Sequence, residues 1–273
     1  MSSYAVTGAS RGIGFEFIKQ FSNDPANTVI GLVRDVKATE AKVQAELGGR
    51  SNVHILHGDL DSYDSLKKAS EETAKITGGG LDYLIHNGAR LVDSSSYFTF
   101  TQLGENPVAL EQEILAGCKS NIVGSIHLFN LFVPLILKGQ KKKVIAISSG
   151  HADPDLITKY DLDTVPTYVI DKSALNIIVA KYSAQFRKDG VLFLSISPGV
   201  VNTGHFDPSN LSEKELPGFA ATVAKFQAYA PHFKEQLTTE QSVKAMVSVF
   251  EKASVENGDG GAFISHLGSK QWI

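Results

Sequence analysis

Tyr4-Ala5-Val6-Thr7-Gly8-Ala9-Ser10-Arg11-Gly12-Ile13-Gly14 places a short apolar run, a glycine-rich turn and the start of an amphipathic segment in immediate succession. A strand over Tyr4 to Thr7 followed by a helix from Ile13 is the reading this pattern supports. Gly8, Gly12 and Gly14 permit a tight turn, and with Ser10, Arg11 and Ile13 they let backbone N–H groups and a helix N-terminus approach a pyrophosphate. A glycine triplet alone is a weak sign. Its position after the first strand, inside a strand–helix–strand unit, makes it a dinucleotide-binding turn.

Working outward, short apolar runs alternate with longer amphipathic stretches along almost the whole chain of 273 residues. Strands are expected at Tyr4 to Thr7, Thr28 to Val33, Val53 to His57, Leu81 to His86, Lys143 to Ser148, Leu192 to Ser197 and Ala262 to Ser265. Helices are expected at Ile13 to Phe21, Lys37 to Leu47, Tyr63 to Thr77, Leu110 to Leu137, Tyr168 to Lys188 and Thr239 to Ala253. This alternation predicts an α/β protein with a doubly wound, mainly parallel sheet of about seven strands flanked by helices. No Pro-, Gly- or Ser-rich linker divides it, so residues 1–273 read as one Rossmann-type domain. Loops near 91–107, 150–166 and 202–238 follow the carboxyl ends of strands, where ligands bind in open α/β sheets. Shortly after Phe206, a short helix is expected near Phe219 to Tyr229.

The end of the second strand bears on cofactor choice. Sites that prefer NAD carry a carboxylate there for the ribose hydroxyls. This chain reads Gly31-Leu32-Val33-Arg34, with Asp35 one residue later and assigned to the turn unless the strand boundary shifts. Arg34 and Arg11 can converge on a 2′-phosphate, whose geometry suits guanidinium forks. NADP(H) is therefore favoured over NAD(H).

Near the middle stands Tyr168-Val169-Ile170-Asp171-Lys172. In a helix, Tyr168 and Lys172 share one face at about 6 Å. A nearby ammonium favours the phenolate and so lowers the tyrosine pKa. Ser148 and Ser149 close a hydrophobic strand, and Asn121 lies between that strand and the glycine turn.

Composition excludes several classes. A net charge of -3, without a basic block longer than Lys141-Lys142-Lys143, is weak ground for nucleic-acid or membrane binding. The lysine triplet reads as solubilising the start of a strand. Cys118 is the single cysteine, which excludes an internal disulfide and a cysteine-based zinc cage. Eight histidines are scattered without metal-ligand spacing, so no metal is expected, and His86 and His151 read as packing or loop residues. No apolar run approaches the ~20 residues that span a bilayer. Met1-Ser2-Ser3 leads directly into a strand, leaving no room for a signal peptide. The expectation is a cytoplasmic protein.

Thr7 to Gly14, the Asn121 segment, Ile147-Ser148-Ser149, Tyr168-x-x-x-Lys172 and Pro198-Gly199 occur in the order seen in short-chain dehydrogenases/reductases, and the chain resembles that family over essentially its whole length. The segment from Gly261 to Ile273 is similar to a fungal, ketoreductase-like subgroup. The resemblance implies that Tyr168 is a general acid, that Lys172 holds the nicotinamide ribose and lowers the Tyr168 pKa, and that Ser149 hydrogen-bonds the substrate oxygen. Asn121 would bend its helix and anchor the water of a proton relay. Asp59 and Leu60 would contact adenine, and Asn87 and Gly88 would follow the fourth strand. Pro198, Gly199, Val200, Val201 and Thr203 would clamp the nicotinamide.

Two features depart from the family pattern. His86-Asn87-Gly88-Ala89 stands where Asn-Asn-Ala-Gly is usual, and Tyr168 comes nineteen residues after Ser149, an unusually long spacing. Tyr160 is nearer but has Thr164, not lysine, at the fourth position beyond it. Ser148 remains an alternative to Ser149. The reaction implied is NADPH-dependent reduction of a ketone or aldehyde to an alcohol. Alternatives are a non-catalytic nucleotide-binding regulatory protein, or an imine or activated double-bond reductase. Partners would be a small carbonyl or alcohol substrate and further copies of the chain, as a homodimer or homotetramer. Phe98, Phe100, Phe206, Phe219 and Phe226 suggest an apolar pocket.

Overall fold

In chain order the elements are β1 (Ser3–Thr7), α1 (Gly12–Phe21), β2 (Thr28–Val33), α2 (Val36–Leu47), β3 (Val53–His57), α3 (Tyr63–Thr77), β4 (Tyr83–His86), α4 (Phe100–Leu103), α5 (Pro107–Gly117), a π-helix (Cys118–Val123), α6 (Gly124–Ile136), β5 (Lys143–Ile147), α7 (Pro154–Tyr160), α8 (Pro166–Phe186), β6 (Leu192–Ser197), α9 (Leu216–Tyr229), α10 (Thr239–Lys252) and β7 (Phe263–Ser265). They come from a computed structural model that describes residues 1–90, 97–204 and 211–273. The seven strands form one parallel sheet in the order β3-β2-β1-β4-β5-β6-β7. The order reverses between β1 and β4, which opens a crevice at the carboxyl ends of those strands.

Both faces of the sheet are buried, and the strand side chains alternate between them. Tyr4, Val6, Ile145, Ile147, Leu194 and Ile196 pack with Phe17, Phe21, Met246 and Phe250 of α1 and α10. Ala5, Ile30, Val144, Ala146 and Phe193 pack with Leu66, Phe129, Phe132 and Leu175 of α3, α6 and α8. This explains why the strands read as continuous apolar runs: residues at odd and even positions each have a helix layer to enter. Helix starts follow local signals. Asp35 and Ser62 cap α2 and α3 by accepting from Ala38 N and Ser65 N, and Gly48 and Gly78 end the same helices in the left-handed region.

Four expectations are corrected. The apolar stretch Leu110 to Leu137 is not one helix: the π-helix interrupts it between Gly117 and Gly124. Neither glycine has room for a side chain, since a Cβ would stand 2.6 Å from the Asp171 carboxylate at Gly117 and 2.4 Å from Leu60 O at Gly124. The region after Ser149 is not an open loop, because Asp153 caps α7 and Pro154 sits in its first turn. Lys143 does not solubilise its strand: it is buried and its Nζ donates to Phe250 O at 2.9 Å and Glu251 O at 2.8 Å, the terminal carbonyls of α10. The strand expected from Leu81 begins at Tyr83, because Asp82 is held by the N–H groups of Ser3, Gln140 and Lys141 below the sheet.

Candidate active site

The turn after β1 is built by close backbone approach. Gly8 and Gly12 have φ of 65° and 55°, and a Cβ at Gly14 would lie 2.2 Å from Gly8 O. Asn87 Nδ2 donates to Thr7 O at 3.2 Å and Gly8 O at 3.3 Å, which ties this turn to the one after β4. The unusual His86 is explained by the same junction. Thr7 Oγ1 accepts from Asn87 N and Gly88 N, so its own proton is free to reach His86 Nδ1 at 3.1 Å. His86 Nε2 then pairs with Ser125 Oγ at 2.7 Å, and Ser125 donates to Asn121 O in the π-helix. Burial, reinforced by the Lys172 charge, pulls the His86 pKa down to about 3. A neutral imidazole therefore joins the glycine turn to the Asn121 backbone.

The Asn121 side chain makes three further bonds. Its Oδ1 accepts from Arg90 N at 2.7 Å, and its Nδ2 donates to Arg90 O at 3.0 Å and Asp171 Oδ2 at 2.7 Å. Asp171 is buried, and burial raises its pKa against the opposing pull of Asn121 and Lys172.

Tyr168 and Lys172 lie on one face of α8 with the Lys172 ammonium 5.7 Å from the Tyr168 ring centroid. Lys172 Nζ donates to Ile147 O at 2.7 Å, and burial brings its pKa down to about 8. The net shift of Tyr168 runs opposite to the expected lowering by Lys172. Burial raises it, and a hydrogen bond with Ser149 opposes that only in part. The phenol thus keeps its proton at neutral pH. Ser149 and not Ser148 meets Tyr168; the Ser148 hydroxyl is buried with no partner among the described residues. Tyr160 lies instead in α7 against Tyr229.

A cavity of about 880 Å³ joins these groups. At one end it is lined by Gly8, Ser10, Arg11, Gly12, Ile13, Arg34, Asp59, Leu60, Asn87 and Gly88, and in the middle by Ser149, Tyr168, Lys172, Pro198, Gly199, Val200, Val201 and Thr203. Gly14 and Asn121 stand behind this surface and do not line it. The segment after β6 is held over the turn by a bridge from Val201 to Leu237, and Thr203 Cγ2 comes within 3.5 Å of where a Cβ on Gly12 would lie. Arg11 and Arg34 are exposed beside Ser10. Asp35 is spent on the cap of α2, leaving no carboxylate at the end of β2. A cavity of this size lined by the glycine turn fits a dinucleotide.

Further residues near the site carry no signal in the sequence. Lys42 does not line the cavity, but its Nζ lies 3.5 Å from Ser10 O and 4.2 Å from the Phe15 ring centroid and adds a third cation near the turn. Tyr97, His151, Phe233 and Trp272 join Phe219 and Phe226 in lining the cavity. Phe98 and Phe100 do not line it, and Phe206 lies outside the described residues. Trp272 Nε1 donates to Asp153 Oδ2 at 2.8 Å, and its ring stacks on Phe263 with centroids 4.4 Å apart. Only the combination of Asp153 and Pro154, a helix-start signal, could have warned that residues 150–166 form a wall.

Fold and site together define an α/β oxidoreductase of the dinucleotide-binding class. The profile of the short chain dehydrogenase family matches residues 3–214. The chain is 52% identical over 274 residues to the short-chain dehydrogenase/reductase iacC of Pestalotiopsis fici, and 49% identical over 273 residues to the short chain dehydrogenase virK of Hypocrea virens, with 100% of each chain covered in both cases. Both relatives are fungal, in line with the likeness seen from Gly261 onward. Among solved structures, an NADPH-bound carbonyl reductase from chicken fatty liver matches with TM-score 0.75 and 22% identity, covering 98% of each chain. The carbonyl reductase Sniffer of D. melanogaster matches with TM-score 0.76 and 22% identity over the same share. The chain belongs to the short-chain dehydrogenase/reductase family, whose members bind a nicotinamide cofactor. No helix among the described residues is long and apolar enough to cross a membrane.

Proposed function

We propose that the protein reduces a ketone or aldehyde to an alcohol with NADPH. The observation that carries this reading is the meeting of Tyr168 and Ser149 hydroxyls in the cavity that also reaches the glycine turn. The cofactor, when bound, supplies hydride to the carbonyl carbon. Ser149 donates a hydrogen bond to the carbonyl oxygen, and Tyr168, protonated at neutral pH, gives its proton to that oxygen as negative charge develops there. Lys172, fixed between Ile147 O and the Tyr168 ring, is positioned to hold the ribose and to offset charge left on the phenol. Asn121 keeps the backbone beside this pair in place through Arg90 and Asp171.

Preference for NADP(H) is supported by the exposed pair Arg11 and Arg34 and by the engagement of Asp35 as a helix cap. Self-association into a dimer or tetramer is supported by apolar side chains left exposed along the π-helix and α8, among them Ile177 at 66% and Val123 at 45%. A cytoplasmic setting suits a chain with one cysteine, Cys118, unpaired.

The test is loss of reduced-nicotinamide absorbance with NADPH against a panel of aliphatic and aromatic ketones and aldehydes. Turnover of any of them supports the reading. NADPH binding without turnover across the panel contradicts it and favours the regulatory alternative.

A further inference from the structure

The cavity carries a polar side chain that the proposed reaction does not use. His151 follows Ser149 and Gly150, and its backbone N–H donates to Ser149 Oγ at 3.3 Å. His151 is thus anchored at its backbone to the hydroxyl proposed to meet the substrate carbonyl. The ring lines the cavity and packs against Phe226 with centroids 4.9 Å apart. Neither ring nitrogen hydrogen-bonds to any of the described residues. Burial lowers its pKa to about 4, so at neutral pH the imidazole offers one donor and one acceptor.

A cavity-lining imidazole with no hydrogen-bond partner among the described residues is free to meet a ligand there. Its surroundings define that ligand further. Phe219, Phe226, Val223 and Trp272 give the cavity an apolar, largely aromatic wall, and Tyr97 meets Phe219 edge to face at 5.1 Å. Gly150 fixes the wall: a Cβ there would lie 2.7 Å from Trp272 Cβ, so the catalytic strand end and Trp272 are in direct contact.

Resting on the carbonyl-reductase reading, we propose that His151 is a specificity-determining residue that hydrogen-bonds a second oxygen of the substrate. The substrate class is then an aromatic or conjugated ketone bearing a hydroxyl or second carbonyl a few bonds from the carbon that is reduced. Sites built around a hydrogen bond reject analogues that lack the partner far more strongly than apolar pockets reject a missing methylene.

The experiment compares α-tetralone with its monohydroxylated ring isomers and uses two variants, His151→Phe, which keeps the aromatic packing, and His151→Gln, which keeps a donor and an acceptor. In the parent, at least one hydroxylated isomer should be preferred over α-tetralone by about fivefold in kcat/KM, the scale of one net hydrogen bond. His151→Phe should bring that ratio close to one, and His151→Gln should restore part of it. A second readout needs no turnover. Trp272 is the single tryptophan and lines the cavity, so its fluorescence follows ketone binding in the presence of NADP⁺. The Kd of the preferred isomer should rise by the same factor in His151→Phe, with circular dichroism and a melting curve as folding controls. The proposal is overturned if the parent shows no preference, if His151→Phe retains it, or if only aliphatic ketones are reduced. That last result would leave the carbonyl-reductase reading intact, whereas turnover of no carbonyl at all would remove both.

Discussion

Acid should destabilise the protein through His86 in a way that one substitution isolates. The imidazole is 2% exposed and bridges Thr7 Oγ1 and Ser125 Oγ, with a pKa brought down from 6.5 to about 3. Below 6.5 the unfolded chain takes up a proton that the folded chain refuses, so stability falls as pH falls, until the folded value is reached. Between about pH 7 and about pH 5 the unfolded histidine goes from about one-quarter to almost fully protonated, and the loss comes to roughly 2 kcal/mol, a large part of a typical margin. His86→Gln removes the titration while keeping a side chain able to pair on both sides. Urea unfolding of parent and variant at the two pH values measures the difference. His151, whose pKa is also lowered, contributes to both proteins alike and cancels. The parent should lose about 2 kcal/mol more than His86→Gln on acidification. Equal losses would refute the neutral bridge.

Other consequences are open to direct measurement. Arg34→Ala should weaken NADPH by about tenfold or more through loss of a charged hydrogen bond, with little change for NADH; equal effects on both Kd values would remove the 2′-phosphate assignment. Asp153→Ala breaks the bond to the Trp272 indole, and should raise ketone KM several-fold and shift Trp272 emission, with NADPH affinity little changed. A variant with unaltered ketone kinetics would make that bond irrelevant to the substrate wall. Ile177→Glu places a charge on the exposed face of α8 and should convert an oligomer to monomer in light scattering, whereas a parent that is already monomeric at micromolar concentration contradicts the association proposed.

The strands were legible because each is short, apolar and bounded by turn residues, and β2, β3 and β6 occupy the very residues expected. The glycine turn and the Tyr168/Lys172 pair could be proposed from local spacing, whereas Ser149 was singled out over Ser148 only by the resemblance to the family. What escaped depends on distant partners. The π-helix is invisible in an unbroken apolar pattern, since the flanking glycines acquire meaning only against Leu60 and Asp171. The same holds for Lys143, whose partners lie more than a hundred residues away in α10. Aromatic residues could be counted, but which of them line the cavity was decided by α7, α9 and Trp272 coming together. His151 carries no signal of its own in the sequence; only the enclosing wall gives it one.

Proton donation by Tyr168 is the central step of the proposed reaction. Burial raises the Tyr168 pKa and Tyr168 lines the cavity beside Ser149, so Tyr168→Phe removes the proposed proton donor while leaving the ring in place. Single-turnover reduction of the best ketone by NADPH-loaded enzyme is the direct measurement, with NADPH Kd determined in parallel. A rate lower by roughly 10²-fold or more, the scale of a lost general acid, together with nearly parental NADPH binding is the expected result. A Tyr168→Phe variant that reduces the ketone at the parental rate would contradict the account.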